Sequence, residues 1–152
     1  MKTIIQKTSF LAILCMAFSL SINAQLDDVS GSYKCSFVSY CNKANPTDNY
    51  KKEASYNILI HYNEAQPKMS YIVIQNVDDP KNIDIHLVKS KMIEIPPFSF
   101  CNANYLLTTY LSGYKDALFE VIIYFDKEND INLMINEGEQ SIAFKDLVKV
   151  SK

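Results

Sequence analysis

Apolar and polar residues alternate along most of the chain with a period of two. The pattern is clearest over residues 117–136: Phe119, Val121, Ile123 and Phe125 share one face, a polar turn runs from Asp126 to Asp130, and Ile131, Leu133 and Ile135 restore that face on the return. Successive side chains of a β-strand point to opposite sides, so this alternation marks a hairpin with one buried face. The same reading predicts a first strand over residues 31–40, with Tyr33, Cys35 and Phe37 inward. A second follows over 55–62, with Tyr56, Ile58, Ile60 and Tyr62 inward and Asn57 and His61 outward. The third, 69–77, is apolar on both faces, which leaves its inward side open.

Further on, Ile83, Ile85 and Leu87 alternate with Asp84 and His86, and Ile93 and Ile95 with Met92 and Glu94. These predict a fourth and a fifth strand joined by a tight hairpin at Lys89-Ser90-Lys91. Pro96-Pro97 ends the fifth, because neither residue can donate to a ladder. An aromatic-bearing loop, a sixth strand over 105–111, the opening hairpin and a ninth strand carrying Ile142, Phe144, Val148 and Val150 complete the chain. No segment has helical periodicity. Eight or nine short strands without helices make an all-β fold, either a closed antiparallel barrel or a two-sheet sandwich, and the consecutive short turns favour an up-and-down order.

The N-terminal residues change the picture. Lys2 and Lys7 precede an apolar run from Phe10 to Leu20, and Ser21-Ile22-Asn23-Ala24 lead to Gln25. A basic start, an apolar stretch too short to span a bilayer and a small exit residue predict a signal peptide over 1–24. Leu14 stands before Cys15 where a lipid-anchored cysteine would need a small residue. The expected product is a single domain over 25–152, secreted or periplasmic, with no transmembrane span after signal removal.

Every basic residue is Lys. Of the 15, Lys2 and Lys7 leave with the signal, so 13 face 17 acidic residues, a net charge of −4. Without Arg there is no bidentate grip on phosphate or guanine, and the balance is acidic, so nucleic acid is not an expected partner. Three cysteines remain. Cys35 alternates in step with a buried face, whereas Cys41 and Cys101 fall in polar connections, which favours a Cys41–Cys101 pair in an oxidising compartment, the alternative being three reduced thiols with Cys35 a small buried hydrophobe. That bridge requires the hairpin at residues 89–91. If 83–95 were one long strand, the two cysteines would lie at opposite ends and no bridge could form.

Gly31-Ser32-Tyr33 at the head of the first strand looks like the Gly-x-Trp opening of lipocalin-type barrels, with Tyr for Trp. Tyr71-Ile72-Val73-Ile74-Gln75-Asn76, the segment from Ile83 to Ile95 ending in Ile-Pro, and residues 105–125 have the strand rhythm of small exported lipocalin-like (calycin-like) bacterial proteins. The resemblance implies a barrel that holds a small apolar molecule, with no catalytic residues to carry over.

The chemistry-bearing residues fit a binding protein better than an enzyme. His61 and His86 both fall on faces opposite the apolar ones and have no ligand-like spacing to another His or Cys, so both are expected to face solvent and no metal or cofactor is expected. Asp126-x-Glu128-x-Asp130-x-Asn132 imitates a calcium loop, but Ile131 stands where the sharp turn needs Gly, so it reads as a hairpin tip. Tyr33, Phe37, Tyr56, Tyr62 and Phe119, at inward positions, are the candidate ligand-binding residues. The other reading is a filled core with a protein-interaction or inhibitor surface on loops 42–53 and 96–104, using Tyr50, Phe98 and Phe100 to engage an unidentified protein.

Overall fold

The structure is a computed structural model that describes residues 29–45, 47 and 49–151; the predicted signal peptide lies outside them. From Gly31 onwards the chain forms one compact unit. Its strands are β1 (Gly31–Asn42), β2 (Tyr50–His61), β3 (Tyr71–Asn76), β4 (Ile83–Val88), β5 (Ile93–Ile95), β6 (Cys101–Leu111), β7 (Tyr114–Asp126), β8 (Ile131–Glu137) and β9 (Gln140–Ser151). A 3-10 turn, Pro67–Met69, precedes β3. Among the described residues no helix is long and apolar enough to cross a membrane.

All pairings are antiparallel. The nine strands make one sheet in the order β4-β3-β2-β1-β9-β8-β7-β6-β5, and a further β4–β6 pairing closes eight of them into a ring. β5 lies on the same edge of β6 as β4: His86 pairs with Leu111, and Ile93 pairs with Leu106. β4 and β5 therefore run the same way along β6 as two pieces of one interrupted line. This corrects the expected hairpin at residues 89–91. Tyr62 helps to hold the break, accepting a hydrogen bond from the Met92 backbone N–H at 3.0 Å.

The register defines the interior. In β7 and β8 the inward residues are those expected, Phe119, Val121, Ile123 and Phe125 paired with Ile131, Leu133 and Ile135. β3 turns Ile72 and Ile74 inward. In β4 the register opposes Ile72 to His86 and Ile74 to Asp84, so His86 and Val88 point inward while Ile83 and Ile85 are exposed. The expectation of a solvent-facing His86 is thus overturned: it is only 3% exposed. His61 faces solvent as expected.

Two bulges explain the other departures. The β1–β2 register shifts between Cys35 and Phe37, so Tyr33 and Cys35 point inward but Phe37 does not, and Val38 and Tyr40 take over the inner face. The extra residue of a bulge reverses the side on which every later residue points. In β9 the backbone of Asp146 is left-handed, with φ +55°, and Leu147 is inward beside Ile131, leaving Val148 and Val150 exposed. The Cys35 thiol sits between these irregular stretches, donating toward the carbonyls of Phe37 at 3.0 Å and Lys145 at 3.5 Å.

A second, smaller core lies on the outer face. Cys101, Ile122 and Tyr124 are buried there beneath Ile95, Phe98, Leu106 and Met134. Even positions 122 and 124 of β7 point out of the ring, and residues 95–101 fold back across them. Asn104 is buried in the same layer and donates from Nδ2 to the Pro96 carbonyl at 3.2 Å.

Candidate functional site

The two ends of the ring differ. At the end where β1 begins and β6 begins, Tyr33, Tyr105, Ile58, Ile60, Ile72, Leu107, Ile123 and Leu133 are fully buried against one another. Toward the end carrying the β1–β2, β3–β4, β6–β7 and β8–β9 connections, the interior opens into a cavity of about 510 Å³. Its floor and walls are Ile74, Phe119, Ile135, Ile142 and Phe144, with Tyr40 and Tyr56 above them. The polar rim comprises Asn82, Asp84, Glu137 and Gln140, with Tyr114. Glycine turns shape this end: Gly113 (φ +93°) and Gly138 (φ +55°) adopt left-handed backbone that L side chains rarely take.

The aromatic groups are held by one another. The Tyr56 ring meets Phe144 edge-on at 5.1 Å, and Tyr40 stacks on Tyr50 at 4.5 Å. Burial, and then the neighbouring Tyr56 and Tyr50 hydroxyls, push the Tyr40 phenol up to about 12, so it remains protonated and able to donate. His86 lies deeper. Its Nδ1 is 3.1 Å from Thr109 Oγ1, and its ring meets Phe119 edge-on at 5.2 Å. Burial lowers its proton affinity and Asp84 only partly restores it, so the imidazole is neutral at neutral pH.

The expected ligand-binding residues are divided by this geometry. Tyr56 and Phe119 line the cavity. Tyr33 belongs to the packed end, with Lys149 Nζ 5.6 Å from its ring centroid. Tyr62 is engaged with Met92 away from the cavity. Phe37, turned outward by the bulge, lines a shallow surface groove with Ser36, Glu53 and Asp78.

The expected rim surface does not assemble. Tyr50 stands beside the cavity mouth, stacked on Tyr40. Phe98 and Phe100 stack on each other at the opposite end, where Phe100 meets Tyr124 edge-on at 6.0 Å. The cysteines divide the same way: Cys41 pairs in register with Ser141 near the mouth, and Cys101 with Asp126 at the far end. The expected Cys41–Cys101 bridge is therefore not formed, and Cys35, Cys41 and Cys101 are free thiols. The reason is the shared direction of β4 and β5, which together carry the chain to the far end before β6 starts.

Asp126 is consumed by its own turn. Its Oδ1 accepts from the Glu128 and Asp130 backbone N–H groups at 3.1 and 2.9 Å, and its Oδ2 accepts from Asn132 Nδ2 at 3.3 Å. Among the described residues no group of three His, Cys, Asp or Glu side chains is gathered to hold a metal ion.

No family model, curated protein or solved structure matches this chain. The cavity must be interpreted from its own residues. His86, Asp84, Tyr40, Glu137, Ile142 and Phe144 were not singled out as site residues by the periodicity. For Asp84 and His86 a signal was present, since Val88 continues their parity and is apolar.

Proposed function

We propose that this chain is an exported, non-enzymatic binding protein that holds one small, largely apolar molecule in a lipocalin-like up-and-down barrel. The observation that carries the reading is the cavity of about 510 Å³, floored by apolar side chains and open at one end of the ring. Pockets that take single small ligands fall in the range of about 300–1,000 Å³ and are mostly apolar with a few polar groups, which is the composition of this one. The closed circuit of eight strands supports a barrel rather than a sandwich, because a sandwich would leave sheet edges unpaired. The N-terminal signal-like residues support delivery to the periplasm or the exterior.

The test compares a native mass spectrum of the protein, purified from its own host, with the denatured spectrum. A mass excess equal to one small molecule, lost on denaturation, is the expected result. A bare native mass, together with no uptake of any apolar probe by the refolded protein, would overturn the reading.

A further inference from the structure

The cavity mouth has a chemical bias that the carrier reading alone does not include. Among the described lining residues the formally charged ones are Asp84 and Glu137, both acidic, although the chain carries 15 lysines. Both occupy inward positions of their strands. Asp84 is opposite Ile74 and follows the parity of His86, and Glu137 follows the parity of Leu133 and Ile135. β4 and β8 are separated around the ring by β6 and β7, so the two carboxylates approach the opening from different strands rather than as neighbours. Neither takes part in an ion pair among the described residues.

The surrounding groups favour the same sign. Tyr40, Tyr56, Tyr114 and Phe119 are aromatic residues of the lining, and aromatic rings attract cations, most strongly where water is excluded. The imidazole of His86, below the carboxylates, is neutral and adds a hydrogen-bonding group without an opposing charge. An anionic ligand would meet two carboxylates with no lysine among the described lining residues to balance it.

Resting on the carrier reading above, we infer that the ligand is an organic ammonium ion: an apolar or aromatic body seated against Ile74, Phe119 and Ile135, with its cationic nitrogen between Asp84 and Glu137 at the mouth. Recognition then divides between burial of the body, which sets the bulk of the affinity, and the carboxylates and rings, which select the charge.

The experiment is calorimetric titration of the full exported chain with three probes of one skeleton: 2-phenylethylamine, 2-phenylethanol and phenylacetate. The amine is expected to bind at least about tenfold more tightly than the alcohol at low ionic strength, with phenylacetate weakest, and the preference should narrow as salt screens the mouth. In the double variant Asp84→Asn with Glu137→Gln, at two exposed positions, the amine should lose its advantage and bind no more tightly than the alcohol. If all three probes bind alike, the rim carboxylates are a solvated edge and the ammonium assignment fails while the carrier stands. An amine preference that survives the double variant overturns the role of these two carboxylates. Failure of all three probes to bind overturns the ammonium assignment, and the native mass comparison above then decides the carrier reading separately.

Discussion

His86 Nδ1 lies 3.1 Å from Thr109 Oγ1, joining β4 to β6 at the pairing that closes the ring. That seam is short, consisting of the pairs His86–Leu111, Leu87–Tyr110 and Val88–Thr109. Both partners are buried, so neither can recover its hydrogen bond from water. Removing one leaves the other unsatisfied, which costs about 1–3 kcal/mol. Thr109→Val, which preserves shape, is accordingly expected to lower unfolding free energy by about that amount in urea titrations. A change of less than about 0.5 kcal/mol would show that the bond does not hold the seam.

The same histidine sets a pH dependence. Burial lowers its folded-state proton affinity below the ordinary value of 6.5, so above that pH it is neutral in both states and adds nothing. Below it, the unfolded chain takes a proton that the native state resists, and stability falls as pH drops, by at most about 1.4 kcal/mol per pH unit for one proton. Thermal melts between about pH 7 and pH 5 should therefore show a shallower loss for His86→Gln than for the parent. Equal slopes would mean that His86 titrates normally.

Asn132 ties three strands together. Its Nδ2 donates to the Asp130 carbonyl at 2.9 Å and to Asp126 Oδ2 at 3.3 Å, and its Oδ1 accepts from the Asp146 backbone N–H at 3.0 Å, where β9 adopts its left-handed residue. Asn132→Leu keeps the size but removes every bond, stranding the Asp146 amide. The expected loss is about 2–3 kcal/mol, read by chemical denaturation. Asn132→Asp retains an acceptor for Asp146 but sets a second carboxylate against Asp126, so it should also destabilise, and less so at low pH.

The thiols report on both cores. Cys35 and Cys101 are buried, and burial pushes both thiols up, whereas Cys41 is partly exposed. In protein lacking residues 1–24, one thiol per chain should react rapidly with a thiol reagent in the native state and all three after unfolding. Phe98→Ala, which uncovers the outer cluster, should bring Cys101 into the reactive set. A single reactive thiol after unfolding without reductant would instead reveal a disulfide.

Much of this architecture was legible as alternation. The β7–β8 hairpin has the inward residues that periodicity assigns, because a regular antiparallel pair preserves parity from end to end. The site was less legible, for two physical reasons. Bulges near Cys35 and Asp146 each shift parity without any mark in composition, exchanging Phe37 for Val38 and Tyr40, and Val148 for Leu147, on the inner face. In β4 the apolar residues Ile85 and Leu87 lie on the outer face beside Val73 and Tyr71 of β3, so the usual equation of apolar with inward fails and conceals Asp84 and His86. The expected disulfide fell with the hairpin on which it depended.

Methyl-labelled isoleucine offers the most direct test of ligand binding in the cavity. Ile74, Ile135 and Ile142 line it, whereas Ile83, Ile85 and Ile93 are exposed on the outer face. Titrating the labelled protein with 2-phenylethylamine while recording methyl NMR spectra should shift the first three and leave the others in place, saturating at one molecule per chain. Shifts confined to Ile83, Ile85 and Ile93, or none at all, would contradict a ligand-holding interior.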